Sequence, residues 1–331
     1  MKSLDRRRFL RIAGLGALSS LLKEKAEAAT FLMKKFLALP SKERKLFTPN
    51  DQFYIVNYSR PPEVAVSNWF LEIGGQVEKP LRLTYEEILQ RPFVEKAVTL
   101  ECIDNEVGGD LISNALWKGV SLKSLIEEAR PRSTVEDVVL YGADLYSDSI
   151  SLDRAMNYDV FLAYQMNGVP LPKEHGFPIR AVVPGLYGIK NVKWIVKIEL
   201  VDHDYKGYWQ QKGWTDEATI KVTSRIDDPG PYNTVKGGYT FRGIAFSGST
   251  GVREVLLSLD GGKEWRPAAL EPPPSPYSWV FWKYEWKEPK PGSYQVVVKA
   301  TDKIGRSQTA FVARAFPDGT SGLYSVVTFV E

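Results

Sequence analysis

Hydrophobic and polar positions alternate along most of this chain in short runs, and their pattern changes near residue 223. Before that point, strand-like runs are interspersed with helical patterns, and after it only short alternating runs occur. The strands predicted in the first part are residues 53–57, 69–74, 97–102 and 138–142. Those predicted in the second part are residues 239–245, 252–259, 278–284, 294–301 and 308–313.

Two short helices are predicted in the first part of the chain. Thr84 is followed by Glu87 at the spacing of a capping box. Ser121 precedes apolar residues at helical spacing, namely Leu122, Leu125, Ile126 and Ala129. Strands mixed with short helices are typical of an α+β fold, whereas the second part predicts an all-β sandwich of the immunoglobulin sort.

The domain boundaries follow from these changes of pattern. Residues 1–28 are predicted as an export signal, 29–50 as a mobile or surface-wrapping leader, 51–223 as the first domain and 224–331 as the sandwich. Residues 227–231 read Asp-Asp-Pro-Gly-Pro, which is typical of a loop between domains.

The N-terminus has the order of features expected of a secretory signal. Arginines at 6–8 precede Phe9 and Leu10, an apolar run covers 12–22, and Ala26 and Ala28 form a cleavage pattern. The paired arginines indicate a twin-arginine signal, with an ordinary basic amphipathic start as the alternative. The apolar run is about half the ~20 residues of a membrane span. We therefore expect a soluble periplasmic protein after cleavage at Ala28.

Composition narrows the possible partners only slightly. The net charge is +3, from 43 Lys and Arg against 40 Asp and Glu, and much of the excess lies in the signal. Charges are otherwise mixed, so nucleic acid is not an expected partner. The nine tryptophans and sixteen tyrosines suit a deep aromatic pocket or a sandwich core equally well.

Cys102 is the single cysteine of the chain, at the end of a predicted strand. A thiol without a partner in an exported protein is buried and inert, intermolecular, or used chemically. A nucleophile would need a nearby base, and zinc would need three or four protein ligands, but only His175 and His203 are available as histidines. One thiolate suits a metal whose other ligands come from an organic cofactor.

A second group of residues lies in the loop from 174 to 194. His175, Arg180 and Lys193 are separated by glycines, which places cationic donors and backbone N–H groups along one winding segment. That chemistry suits a phosphate or pyrophosphate, with Arg180 as a fork and Lys193 as a point charge. The alternative is a Gly/Pro loop with solvated charges.

Several motifs in this order resemble the sulfite oxidase family of molybdopterin enzymes. In the first domain they are 99–105 (TLECIDN), 117–122 (WKGVSL), 162–168 (LAYQMNG), 175–180 (HGFPIR), 192–194 (VKW) and 204–208 (DYKGY). In the second they are 246–248 (FSG), 258–262 (SLDGG) and 300–302 (ATD). The resemblance implies a mixed α/β molybdopterin domain followed by an immunoglobulin-like dimerisation domain. It also implies a homodimer, although the aromatic residues around 279–286 suit a core equally well.

The resemblance also implies roles for particular residues. Cys102 would ligate molybdenum of the molybdopterin cofactor (Moco), and Tyr205 would lie at the reacting oxygen as the family's active-site tyrosine, with a buried core tyrosine as the alternative. The residues that would bind the pterin and its phosphate are Asn57 and Tyr58 with the backbone of 54–58, Ser147 or alternatively Asp148, His175, Arg180, Asn191, Val192 and Lys193.

Two departures from the family pattern concern the substrate. Arginines that help to form the oxyanion pocket of the animal enzymes correspond here to Val56 and Val107, and valine cannot bind an oxyanion. Lys206, Arg60 and Arg225 are the cations that could replace them. The usual histidine after the asparagine is Tyr58. Molybdenum binding is therefore better supported than sulfite as the substrate.

The expected function is two-electron oxygen-atom transfer on a small oxyanion or sulfur-containing substrate. No Cys-x-x-Cys-His haem site occurs, so electrons would pass to a separate protein, a cytochrome c. The alternatives are a molybdenum-dependent sulfoxide or N-oxide reductase and, from another class, a non-catalytic periplasmic binding protein.

Overall fold

The computed structural model describes residues 45–157 and 159–331. The predicted export signal and most of the predicted leader lie outside these residues. The described end of the leader lies against the molecule, since the Leu46 carbonyl accepts hydrogen bonds from Asn114 Nδ2 at 2.8 Å and from Trp279 Nε1 at 3.2 Å. In the described part of the chain, no helix is long and apolar enough to cross a membrane.

Ten strands and three short α-helices form among the described residues of the first part of the chain. The strands are β1 (Phe70–Gly75), β2 (Leu81–Thr84), β3 (Phe93–Glu101), β4 (Ile112–Ser121), β5 (Asp137–Gly142), β6 (Ser147–Ser151), β7 (Phe161–Met166), β8 (Val169–Pro170), β9 (Arg180–Val182) and β10 (Ile195–Val201). The helices are α1 (Tyr85–Leu89), α2 (Leu122–Ala129) and α3 (Leu152–Asn157). Single 3₁₀ turns cover Val66–Asn68, Lys173–His175, Gly188–Lys190 and Gln210–Lys212.

These strands form two sheets with a core between them. The first sheet has the order β2-β1-β10-β5-β6, and the second has the order β3-β4-β7-β8, with β9 paired to β7. Helix α2 buries its apolar face in the core between the sheets, which explains the helical spacing of Leu122 and Leu125. The predicted capping box at Thr84 is present, with the Glu87 backbone N–H donating to Thr84 Oγ1.

The second part of the chain is a β-sandwich. Its strands are β11 (Thr223–Asp228), β12 (Thr234–Val235), β13 (Tyr239–Phe246), β14 (Val252–Ser258), β15 (Arg266–Pro267), β16 (Ala269–Leu270), β17 (Val280–Trp286), β18 (Gly292–Asp302) and β19 (Tyr324–Val330). They form two sheets with the orders β11-β13-β17-β16 and β12-β19-β18-β14-β15. Trp279, Trp282 and Trp286 are buried, so these aromatic residues belong to the core. The predicted fold class is confirmed.

Two predicted strands do not form. Residues 53–57 are irregular, because Phe53 is buried beneath the second sheet while the backbone N–H of Tyr54 donates to Ser113 Oγ rather than to a strand. Residues 308–313 contain only an isolated bridge at Ala313, and Phe311 and Val312 are exposed. Alternating apolar residues are thus insufficient where no neighbouring strand offers a hydrogen-bonding edge.

We expect Leu125→Ala to lower the free energy of unfolding by about 2–5 kcal/mol, because Leu125 is fully buried in the core between the first two sheets. Urea denaturation followed by circular dichroism measures this change. The control is Lys123→Ala on the exposed face of the same helix, which should cost no more than about 0.5 kcal/mol. Equal losses for the two variants would contradict the packing of α2.

Candidate functional site

Cys102 lies at the wall of a deep cleft in the first part of the molecule. Including the solvent space at its open mouth, the cleft has a volume of about 740 Å³. It is lined mainly by loops that follow strands, by the irregular segment 53–58 and by the loop 188–194. Its lining includes Tyr54, Val56, Asn57, Tyr58, Cys102, Asp144, Tyr146, His175, Arg180, Asn191, Val192, Lys193, Trp194 and Trp209.

The Cys102 thiol is buried at the C-terminal end of β3. Burial raises its pKa to about 11, although a hydrogen bond from the Asp104 backbone acts in the opposite direction. The thiolate form at neutral pH therefore needs a positive charge, which a bound metal cation supplies. Among the described residues, no group of three or more His, Cys, Asp or Glu side chains could hold a metal by itself.

Arg180 is a buried guanidinium whose recorded hydrogen-bond partners are all neutral. Its Nε, Nη1 and Nη2 donate to the carbonyl oxygens of Ala181, His175 and Asn191 at 3.2–3.3 Å. Burial lowers the pKa of Arg180 to about 10, so it remains a cation at neutral pH. No ion pair joins it to a carboxylate within the described ranges, and a buried cation in this position favours an anionic ligand.

Lys193 provides a second cation in the cleft. Its Nζ donates to Asn57 Oδ1 and to the carbonyl oxygens of Val56 and Glu174 at 3.2 and 3.3 Å, again all neutral groups. Burial, and then the charge of Arg180, lower the pKa of Lys193 to about 7. Arg180 and Lys193 together therefore give the cleft a positive potential.

His175 lies in the cleft as predicted but not as a cation. Its Nε2 is 2.8 Å from the Asn50 carbonyl oxygen and donates to it, and burial lowers the pKa of the imidazole to about 4. With this lowered pKa the imidazole is neutral near pH 7, unlike the cationic donor expected from the sequence, and its role in binding the pterin stays a prediction. Gly176 follows with φ of +110°, where an added Cβ would lie 2.9 Å from the Arg180 Cβ, so glycine allows the close approach of the loop to Arg180.

Asn191 and Val192 hold the loop rather than present side-chain donors. Asn191 Oδ1 accepts a hydrogen bond from the Val183 backbone N–H, and its Nδ2 donates to the carbonyl oxygens of Leu186 and Tyr187. Val192 is buried in the core. In this segment, only the backbone and the Lys193 side chain are therefore available to contact a ligand.

Tyr58 forms part of the aromatic mouth of the cleft. Its ring is 42% exposed and lies 5.8 Å from the Tyr146 ring and 4.6 Å from the Tyr208 ring. Trp209 packs edge-on against Tyr208 at 5.0 Å. Such a rim provides apolar contact area and hydroxyl groups but no positive charge.

The structure does not bring Tyr205 or Ser147 into this cleft. The Tyr205 hydroxyl lies 2.8 Å from Ser147 Oγ, and its ring packs against Tyr141 at 6.3 Å. Successive residues of a strand point to opposite faces, so Ser147 at the start of β6 faces away from Tyr146, which lines the cleft. Tyr205 and Ser147 thus lie outside the lining of this cleft, and their roles at the reacting oxygen and in pterin binding stay predictions.

Of the two valines that replace arginines, only Val56 lines the cleft. Val107 instead lies beside Gly322 of the sandwich, within 3.0 Å of where its Cβ would be. None of the three proposed substitute cations lines the cleft either. Lys206 pairs with Asp204 and Asp216, and Arg225 with Asp110 and Asp227, while Arg60 is exposed.

Sequence reasoning missed several residues of the cleft. Asp144 and Trp209 line it, although neither was predicted as a site residue. Asp144 carries a carboxyl whose pKa is raised by burial. Asp144 could have been predicted from its position in the turn between β5 and β6, two residues before Tyr146, since ligand-contacting residues cluster in such loops.

A buried ion network supports the cleft from behind. Lys190 Nζ donates to Asp148 Oδ1 at 2.8 Å, to Asp216 Oδ1 at 2.7 Å and to the Ser149 carbonyl oxygen at 2.9 Å. The backbone N–H of Lys190 closes the turn that ends in Asn191 by donating to the Tyr187 carbonyl. The network thus fixes the loop from which Lys193 enters the cleft.

The donor set fits the molybdopterin cofactor. Cys102 offers one soft thiolate, as required for a metal that takes its other ligands from a dithiolene. Arg180 and Lys193 offer positive charge without a recorded carboxylate partner, as a phosphate requires. Cys102, Asn57, His175, Arg180 and Lys193 are the residues that would hold the cofactor.

Sulfate, a doubly charged anion at pH 6.5 and at pH 8.5, tests the positive charge of the cleft in the cofactor-free chain. We expect Lys193→Met to weaken sulfate binding about tenfold at pH 6.5, measured by isothermal titration calorimetry. The pKa of Lys193 is about 7, so the unliganded side chain loses its proton above that pH and wild-type affinity should fall from pH 6.5 to 8.5. The pKa values of His175 and Arg180, about 4 and about 10, leave these groups unchanged over this range.

The control is Lys173→Met, since Lys173 pairs with Glu63 on the surface and does not line the cleft. This variant should keep both the affinity and its pH dependence. Unchanged sulfate binding by Lys193→Met would contradict an anion site at this position.

Comparison with known proteins agrees with this geometry. Residues 58–209 match the model of the oxidoreductase molybdopterin binding domain, and residues 216–317 match that of the Mo-co oxidoreductase dimerisation domain. The chain is 31% identical over 336 residues to sulfite oxidase of Gallus gallus, covering 85% of this chain and 72% of that protein. It is 33% identical over 306 residues to mitochondrial sulfite oxidase of Homo sapiens, covering 77% of this chain and 56% of that protein.

The fold is also similar to a solved structure. The crystal structure of the sulfane dehydrogenase SoxCD from Paracoccus pantotrophus superposes with a TM-score of 0.77 at 25% identity, covering 87% of this chain and 84% of that chain. These matches support a molybdenum-dependent oxidoreductase that uses the molybdopterin cofactor, in preference to a non-catalytic binding protein. The chain belongs to the sulfite oxidase family of molybdopterin-dependent oxidoreductases.

Proposed function

We propose that this protein catalyses two-electron oxygen-atom transfer on a small sulfur-containing substrate, in the manner of a sulfite dehydrogenase. The observation that carries the proposal is the single cleft that holds both the Cys102 thiol and the two cations Arg180 and Lys193. The proposed metal ligand and phosphate site then lie in one cavity, beneath the aromatic mouth.

When bound, the cofactor supplies the two-electron redox change and the exchangeable oxygen. Cys102 anchors the metal through its thiolate, while Arg180 and Lys193 bind the phosphate. Burial raises the pKa values of Tyr54 and Tyr146 well above 10, so both hydroxyls stay protonated. The Tyr146 hydroxyl donates within the protein, to Asp148 and the Ile189 carbonyl, which leaves Tyr54 as the donor for the cleft. Tyr58 and Trp209 narrow the mouth and reduce the access of water.

The overall reaction consumes water and releases two protons and two electrons for each oxygen atom added to the substrate. The electrons go to a separate carrier protein, for which a cytochrome c is the proposed partner. The relative with the SoxCD fold is described as a sulfane dehydrogenase, which supports sulfur chemistry in this family.

Location and assembly are part of the same proposal. The paired arginines at 6–8 with Phe9, Leu10 and Ala28 support export by the twin-arginine machinery to the periplasm, with cleavage at Ala28. That route exports folded proteins with their cofactor in place. The dimerisation domain matched at residues 216–317 supports a homodimer.

The second candidate is a sulfoxide or N-oxide reductase that transfers oxygen in the opposite direction. The observation in its favour is Val56, which is 49% exposed and lines the cleft where the family's animal members carry an arginine. With Arg180 and Lys193 engaged by the cofactor phosphate, no further cation lines the described cleft for an oxyanion. A cleft wall formed by Val56, without a free cation, suits an uncharged organic substrate.

We expect Cys102→Ser to abolish turnover, because serine does not replace a soft thiolate as a ligand to molybdenum. The fold should persist, with a free energy of unfolding within about 1 kcal/mol of wild type. Turnover assays measure the loss of activity, and denaturation followed by circular dichroism measures stability. Molybdenum and pterin analysis of the purified variant shows whether the cofactor is retained. Full activity of Cys102→Ser would contradict the metal-ligand role.

Val56→Arg distinguishes the two reaction directions. If sulfite is the substrate, the added guanidinium should lower KM for sulfite about tenfold in a cytochrome c assay. If the enzyme reduces sulfoxides, wild type should instead turn over methionine sulfoxide with a reduced dye, and Val56→Arg should lower its kcat/KM. The control is Ile55→Arg, since Ile55 is 48% exposed but does not line the cleft.

A further inference from the structure

Residues 102–111, which we call the Cys102 loop, connect β3 to β4 and are organised around Asn105. Asn105 is buried, its backbone N–H donates to the Cys102 carbonyl at 3.0 Å, and its Oδ1 accepts from the Leu111 N–H at 3.0 Å. Asn105 Nδ2 donates to Glu101 Oε1 at 2.9 Å. The Cys102 N–H closes the loop by donating to the Leu111 carbonyl at 2.9 Å. The position of Cys102 therefore depends on where Asn105 is held.

The sandwich holds Asn105 directly. Thr320 Oγ1 donates to the Asn105 carbonyl oxygen at 2.7 Å across the boundary between the two parts of the chain. Because this hydrogen bond is short and partly shielded from water, its loss should weaken the contact between the sandwich and the loop.

Arg225 of β11 holds the far side of the loop. Its Nη1 donates to the carbonyl oxygens of Gly108 and Gly109 and lies 2.8 Å from Asp110 Oδ1. Its Nε pairs with Asp227 at 2.8 Å, which fixes the guanidinium on the sandwich. Three consecutive residues of the Cys102 loop are thus bound by one rigid side chain.

Gly108 shows how closely the sandwich approaches. Its φ is +76°, and a Cβ added there would lie 2.0 Å from the Tyr324 ring. Behind the loop, Ile103 and Ile112 are buried in a cluster with Ile244 and Phe246 of the sandwich. Hydrogen bonds, an ion pair and apolar packing from the second domain therefore converge on the Cys102 loop.

We propose that the sandwich positions Cys102 for metal binding, with Thr320, Arg225 and Tyr324 as positioning residues that hold the Cys102 loop. The metal-ligand part of this inference rests on the role proposed above for Cys102. Loss of a sandwich contact would let the loop open more often and would change the direction from which the sulfur meets the metal. Such a change alters the electronic coupling between sulfur and metal without removing the ligand.

Thr320→Val in the full-length holoenzyme tests the proposal, because valine keeps the shape of threonine and removes only the hydroxyl donor. We expect the amides of residues 102–111 to exchange with deuterium about fivefold faster, as loss of one hydrogen bond predicts. We also expect the absorption band of sulfur-to-molybdenum charge transfer to shift. Thr320→Ser, which restores the hydroxyl, should recover wild-type exchange and absorption.

The control is Thr250→Val, since Thr250 Oγ1 also lies 2.9 Å from a backbone carbonyl oxygen, that of Ser247, but within the sandwich, where it also contacts Asp302 Oδ2 and Arg306 Nη2. It should leave exchange in the Cys102 loop and the absorption band unchanged. Wild-type exchange in Thr320→Val, or the same change in Thr250→Val, would overturn the proposal. Faster exchange with an unshifted band would overturn the positioning of the sulfur relative to the metal. The ligand role of Cys102 is tested independently by Cys102→Ser, which should lose the band.

Discussion

The buried guanidinium of Arg180 is the constraint around which the cleft is arranged. A cation removed from water and surrounded by neutral carbonyl groups is costly, so its stability depends on how the loop from His175 to Asn191 presents those carbonyls. The left-handed backbone conformation of Gly176 and the hydrogen bonds of the Asn191 side-chain amide give the loop the shape that presents these carbonyls. The same path brings Lys193 into the cleft. A bound phosphate would relieve the charge imbalance that the fold accepts.

The buried cations of the loop differ in whether a carboxylate pairs with them. Lys190, one turn before Lys193, is buried with two carboxylates and is satisfied within the protein. Lys193 and Arg180 have only neutral partners among the hydrogen bonds described. Lys190 is therefore a support of the loop, whereas the lack of an ion-paired carboxylate at Arg180 and Lys193 is the basis on which we propose these two as ligand-binding groups.

The cleft also shows why the two parts of the chain act as one enzyme. Cys102 leaves the second sheet at the point where that sheet meets the sandwich. Its loop is closed by the bond from the Cys102 N–H to the Leu111 carbonyl and is held from outside by Thr320 and Arg225. A thiol on a flexible loop would pay an entropic cost whenever it bound a metal. The domain interface reduces this cost because the loop is already ordered.

The sequence alone predicted those features that depend on residue type and on the local order of residues. Periodicity predicted α2 and most central strands, capping chemistry predicted α1, and the motifs placed Cys102, Asn57, Arg180 and Lys193 in one site. Only the tertiary structure decided which neighbour in the sequence faces the cleft. It placed Asp144 and Tyr146 there but turned Ser147 and Tyr205 away, and it moved Val107 to the sandwich interface. The reason is physical: side-chain direction depends on strand register and on how separate loops pack, and neither is encoded in a local motif.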